Sequence, residues 1–212
     1  MTGPQTGASP SRFSANLEAD AGHLRVAVGN SFISPLEHHG CLVLFSGFVS
    51  DKAALRTLLG LGSDQTDGEA ALMALAYRRW GEHLHVHVLG EYSLCLYDRH
   101  LQRLLLTHDA LGLGQGFYSV ATCGIHVGNH LIDLLDVVKD RTPDPDYLAN
   151  FLARGYLTDQ RTPYALIKRL LPGESLLWAD GSCRRLRTWD LTTTPLLLCR
   201  DPREYEVRFR EL

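Results

Sequence analysis

The chain has 212 residues, 45% of them hydrophobic and 21% charged, with a formal net charge of −3. That balance, without a dense Lys/Arg run, leaves no electrostatic footprint for nucleic acid. No window approaches the ~18 continuous apolar residues of a membrane span, and the N-terminus lacks the basic-then-apolar layout of a secretory signal. A soluble, cytoplasmic protein with one main domain is therefore expected.

Residues 1–22 are rich in Gly, Pro, Ser, Thr and Ala and read as a flexible arm. Strands are predicted over 23–28 and 41–49, joined by a 35–40 loop that holds the His38-His39 pair. In LFSGFVSD (44–51) the second strand reaches a Ser46-Gly47-Phe48 corner. It then hands over to a short amphipathic helix, DKAALRTLL, with Asp51 as its cap. A second helix is predicted from Thr66-Asp67-Gly68-Glu69, which has the form of a capping box, to Gly81.

EYSLCLYD (91–98) is apolar on both alternating faces, as a strand covered on two sides requires. Strands follow at 102–109, 116–121 and 124–129, and helices at 130–138 and 146–155. Two further strands flank Asp180-Gly181, a strong hairpin signal. Strands and helices in blocks with adjacent hairpins favour an α+β fold over a doubly wound sheet.

Several features carry weaker readings. The five cysteines, Cys41, Cys95, Cys123, Cys183 and Cys199, are odd in number and never form CxxC, so they read as reduced, mostly buried thiols. His83, His85 and His87 alternate, but no Asp or Cys completes a metal site, and solvated histidines are expected. Gly112-Leu-Gly-Gln-Gly116 lacks the lysine and following helix of a phosphate loop. Asp109 sits in a tight Asp-x-x-Gly turn whose backbone donors it can satisfy. The cluster Arg184, Arg185 and Arg187 reads as a solvated strand face, and Trp80, Trp178 and Trp189 as packing residues.

In order along the chain, FSGFVSDKAAL (45–55), TDGEAALMALAYRRWGEH (66–83), LGEYSLCLYDRHLQRLLLTHDALGLGQGFYS (89–119) and LIKRLLPGESLLWADGSCRRLRTWDL (166–191) resemble the front domain of the asparagine synthetase family. That domain is a class II glutamine amidotransferase-like unit. The resemblance implies the Ntn-hydrolase fold, a four-layer αββα sandwich of two mainly antiparallel sheets. It also implies glutamine hydrolysis by an N-terminal cysteine whose own α-amino group is the base.

The chain departs from the family at the chemistry. It starts Met-Thr-Gly, and its first cysteine is Cys41. Thr2, the one terminal nucleophile available, is not followed by an apolar strand. Where the family has an Asn-Gly-Glu corner for the oxyanion and the substrate, this chain has Ser46-Gly47-Phe48. No catalytic residue is therefore assigned. Asp67, at the position that receives the glutamine α-amino group, and Arg25, a candidate clamp for its carboxylate, are the remaining substrate-binding remnants, beside Ser46, Gly47 and Phe48.

Loss of the cysteine resembles β-lactam synthetases and lasso-peptide cyclases. The expected layout is an arm (1–22), an amidotransferase-like domain (23–192), and a linker with the start of a helix (193–212) leading toward an ATP-pyrophosphatase synthetase domain, in cis or in trans. No cofactor is expected in this chain; ATP and Mg belong to that second domain. The front domain is expected to be a scaffold, to enclose an amino-acid or peptide substrate, or to form a homodimer contact. The alternatives are an active glutaminase using Thr2 or another group, and a stand-alone module that binds a peptide or a partner through the Phe48 corner. No metal, nucleic acid or membrane partner is expected.

Overall fold

The computed structural model describes residues 12–20, 23–28, 35–62, 68–122, 124–156, 158–187, 189, 190, 192, 196–199 and 201–211, with the backbone alone for 18–20 and 23–28. The strands are β1 (Ser14–Asp20), β2 (His23–Val28), β3 (Leu36–His38), β4 (Cys41–Val49), β5 (Gly90–Asp98), β6 (Arg103–His108), β7 (Phe117–Ala121), β8 (Gly124–Gly128), β9 (Lys168–Arg169), β10 (Glu174–Ala179) and β11 (Ser182–Arg187). The α-helices are α1 (Lys52–Leu59), α2 (Glu69–Trp80), α3 (Leu131–Val138), α4 (Pro145–Arg154) and α5 (Pro202–Arg210). The strands form two antiparallel sheets, ordered β2-β1-β8-β7-β9 and β11-β10-β6-β5-β4-β3.

The sheets stack face to face. Phe13, Ala15, Leu17, Ile125 and Val127 of the first pack with Leu42, Leu44, Cys95, Leu104, Leu106 and Trp178 of the second in one apolar layer. The opposite face of the second sheet, Val43, Phe45, Leu94, Leu96 and Leu105, is covered by Leu72, Met73, Ala76 and Tyr77 of α2. Leu134 and Leu135 of α3 cover the first sheet's outer side with Ile167 and Phe117. The result is the expected αββα sandwich. Alternate residues of β4, β5 and β6 face two different cores, which is why those strands are apolar in both registers.

Local signals position the elements. Asp51 Oδ1 accepts the Ala54 N–H at 2.7 Å and starts α1, as its sequence position suggests. Asp144 does the same for α4 through Tyr147 N–H, with Pro145 in the first turn and Gly155 in the left-handed conformation after the last. Asp180 and Gly181 both take positive φ, the turn that matches the twist of the β10–β11 hairpin. The arginines of β11 lie on an exposed edge strand, where charge discourages further strand pairing.

Three expectations are corrected. Residues 14–20 are not part of an arm; they form β1 in the middle of its sheet. Its described inward residues include the small Ala15, so the alternation Phe13-Ala15-Leu17 is nearly invisible as a hydrophobic signal, although all three are fully buried. Residues 36–38 are not loop but β3, paired with β4 through Leu36, Glu37 and His38. The helix after the predicted capping box starts at Glu69 with Gly68 as its cap, so Glu69 does not reach back; its carboxylate accepts Val49 N–H at 3.0 Å and pairs with Lys52 at 2.9 Å. Thr66 lies outside the described residues. Among the described residues, no helix is long and apolar enough to cross a membrane.

Double burial has a measurable consequence. Leu104→Ala, facing the other sheet, and Leu105→Ala, facing α2, are both expected to destabilise the protein by about 2–5 kcal/mol in urea unfolding. A sheet covered on one side only would leave one of the two near neutral.

Candidate functional site

At one end of the sandwich the second sheet loses its apolar inner face. The register sets Ser46 of β4 opposite Ser93 of β5, and Ser93 opposite His108 of β6. By alternation these three continue the inward rows of Leu42-Leu44, Cys95-Tyr97 and Leu104-Leu106, and all are buried. His108 Nδ1 lies 2.7 Å from the Asp109 carbonyl, an acceptor only, so that nitrogen carries the proton.

Above this row lies a cavity of about 290 Å³ whose wall includes Arg12, Ser46, Gly47, Phe48, Glu91, Ser93, Gly114, Gln115, Asn129 and His130. The predicted corner is thus a cavity wall. Gly47 has φ +120°, and a Cβ there would clash with the Glu91 carbonyl and sit 2.7 Å from Tyr92 Cα, so the corner's close approach to β5 requires glycine. Phe48 stands at the rim, 51% exposed.

Two anchors shape the rest of the wall. Asp109 is buried, and its carboxylate accepts the N–H groups of Leu111 (3.1 Å), Leu113 (3.1 Å) and Gly114 (2.6 Å). That is the structural role its turn suggests, and it presses Gly114 against the β5 backbone, where a Cβ would meet Tyr92 and Ser93. Ser93 Oγ accepts Gln115 N–H at 2.9 Å. On the opposite side Asn129 Oδ1 accepts Phe13 N–H at 2.8 Å, and Asn129 N–H donates to the Phe13 carbonyl at 3.2 Å, fixing the head of β1 at the cavity.

The structure brings Ser46, Gly47 and Phe48 together. Thr2 and Asp67 lie outside the described residues, as does the side chain of Arg25, whose backbone sits on β2 opposite Glu18. Sequence reasoning missed Ser93, Asn129, His130 and Arg12. Ser93 had a signal, as the one serine in the otherwise largely apolar run 92–97 of β5; Arg12 was hidden in the expected arm. The histidines divide: His83 and His87 are exposed, and His87 stacks on Trp80 with ring centroids 4.3 Å apart. His85 is buried, contrary to the expected solvated reading, because the segment is a 3-10 turn that tucks it in. Among the described residues, no group of three His, Cys, Asp or Glu is placed to hold a metal.

No described cysteine lines the cavity. Cys41 and Cys95 face the helix-side and inter-sheet cores, where burial pushes their thiols up to about 11 and about 12. Tyr92 projects into the helix-side core and stacks on Phe45, centroids 6.1 Å apart; burial, then the Asp109 carboxylate, raises its phenol.

Residues 9–192 match the family profile for the glutamine amidotransferase domain. The chain belongs to this family. The match begins inside the segment expected to be an arm, in keeping with β1.

Among solved structures, glutamine phosphoribosylpyrophosphate amidotransferase from B. subtilis, complexed with ADP and GMP, is similar at 13% identity and a TM-score of 0.55. The match covers 84% of this chain and 43% of that one. A structure described as the allosteric regulatory enzyme of purine biosynthesis gives 12% identity, a TM-score of 0.54 and the same coverages. A class-II glutamine aminotransferase domain protein from Silicibacter pomeroyi gives 10% identity and a TM-score of 0.46 over 83% of this chain and 98% of that one. At these identities the first two structures show the shared fold alone, that of the Ntn-type amidotransferases. The chain spans 43% of the length of the first two. A search of curated protein sequences found no match.

Two outcomes are expected. Asp109→Ala leaves buried N–H donors unpaired and should cost about 1–3 kcal/mol for each donor that water cannot reach, measured by urea unfolding, with the amide signals of Gly114 and Gln115 displaced. In the native protein at pH 8, Cys41 and Cys95 should resist alkylation and react only after unfolding. With a pKa near 11 for Cys41, only roughly one thiol in a thousand is thiolate at that pH.

Proposed function

We propose that this chain is a non-hydrolytic, glutaminase-like domain of an ATP-dependent amide-forming enzyme of the asparagine synthetase type, in the manner of the cysteine-less lasso-peptide cyclases. Its role is to scaffold the enzyme or enclose its substrate. The observation that carries this reading is the cavity wall, where Ser46, Gly47 and Phe48 form the corner, Arg12, Glu91, Ser93, Gln115, Asn129 and His130 supply the other polar groups, and no described residue is a thiol. Glutamine hydrolysis needs a nucleophile with a free α-amino group at the head of β1, and a donor aimed at the developing oxyanion. The described residues at that head are Arg12, Phe13 and Ser14. The Phe13 nitrogen is a peptide N–H held by Asn129, and Phe13 is fully buried.

The Ser46 hydroxyl is shorter than the asparagine amide it replaces. Removing one oxyanion donor costs about 10²–10³ in rate even when the nucleophile is intact. Phe48 turns the corner's substrate-binding end apolar, which suits an apolar group on an amino acid or peptide better than the charged end of glutamine. The ATP chemistry, with its Mg, belongs on this reading to a companion ATP-pyrophosphatase domain, in cis or in trans.

The test is ammonia release from glutamine at high protein concentration. The expected result is release at the uncatalysed rate, unchanged by Thr2→Ala. Release well above background that Thr2→Ala abolishes would establish an active glutaminase and overturn the proposal.

A further inference from the structure

We propose that a second, larger cavity, between the 112–117 loop, α4 and the 158–172 segment, binds an organic anion: a carboxylate or phosphate group carried on an apolar body. The cavity measures about 720 Å³, within the usual range for small-molecule sites. It is distinct from the Ser46–Phe48 cavity and shares with it only Gly114 and Gln115. Its wall has two chemistries. Phe117, Tyr147 and Leu170 give an apolar side, and Arg161, Arg169 and Arg187 supply three guanidinium groups, while no carboxylate is among the described lining residues.

Each arginine is braced from outside the cavity. Arg161 Nη1 donates to Asp159 Oδ2 at 2.8 Å and its Nη2 to Asp146 Oδ2 at 3.1 Å. Arg169 Nε donates to the Asp159 carbonyl at 2.9 Å. Arg187 Nη2 pairs with Asp190 Oδ2 at 2.8 Å. A guanidinium has five N–H donors, so Arg161 and Arg187 keep donors beyond these bonds. Bracing also removes in advance much of the rotamer freedom that a ligand would otherwise have to freeze.

The charge balance limits the kind of recognition. The bracing carboxylates offset the arginines, so long-range attraction is small, and binding has to come from short-range hydrogen bonds to the anion together with burial of the apolar body. The glycine-rich loop adds little. The N–H groups of Leu111, Leu113 and Gly114 are taken by Asp109, and that of Gln115 by Ser93. The arginines therefore have to carry the polar contact, and an anion without an apolar body, or the body without the charge, should bind poorly.

The experiment is a titration of the full chain with phenyl phosphate, phenylacetate, benzyl alcohol and inorganic phosphate, followed by the amide signals of Gly112, Gly114 and Gly116. At least one aromatic anion should shift these signals and bind ten-fold or more tightly than benzyl alcohol and inorganic phosphate; which of the two binds better identifies the head group. Arg187→Ala, which removes a largely exposed side chain with a single surface ion pair, should weaken that binding at least ten-fold, and Tyr147→Ala should weaken it as well.

The proposal is overturned if neither anion shifts the loop, if benzyl alcohol binds as tightly, or if both variants bind like the parent. The readout is binding alone, so it stands or falls separately from the glutaminase result.

Discussion

Strands β4, β5 and β6 are covered by α2 on one side and by the other sheet on the opposite side, and this double burial constrains everything else. Neither alternating row of these strands can be polar along its length, because a buried polar group must find a partner or cost stability. Polar residues are admitted only where the sandwich opens. The cross-strand row Ser46–Ser93–His108 marks that opening, and the small cavity lies over it. The site is where the fold relaxes its demand for apolar residues, and that explains why hydroxyl, amide and imidazole groups from four strand ends meet there.

The cavity's shape depends on backbone more than on side chains. Gly47 brings β4 close to β5, Asp109 gathers three loop amides, and Asn129 pins the head of β1. None of these is a nucleophile. They hold the cleft in place, and on the proposed reading Ser46 and Phe48 at its corner stand where a working glutaminase would place an oxyanion donor and a charged substrate contact. Packing constrains the strands while the cleft end is free to change, so a shared fold does not by itself fix the chemistry of the cleft.

The sequence made the frame legible wherever a local rule was strong. The two-faced apolar runs of β5 and β6, the Asp51 cap, the Asp180-Gly181 turn and the Asp109 loop all hold in the structure. It concealed β1, because alanine at an inward position looks the same as alanine in an arm, and only the neighbouring strands β2 and β8 make Ala15 a core residue. The corner 46–48 was legible as a pocket wall. Asn129 and Arg12 were not, since residues more than a hundred positions apart meet only through the pairing of β1 with β8. The larger, arginine-lined cavity was equally hidden, because its guanidinium groups come from separate segments and share no spacing.

The most direct measurement is intact-mass analysis after prolonged incubation with an electrophilic diazoketone analogue of glutamine, which alkylates a competent nucleophile without needing turnover. The account predicts the unmodified mass. A single stoichiometric adduct that excess glutamine suppresses, mapped to any residue at the head of β1 or on the cavity wall, would contradict it.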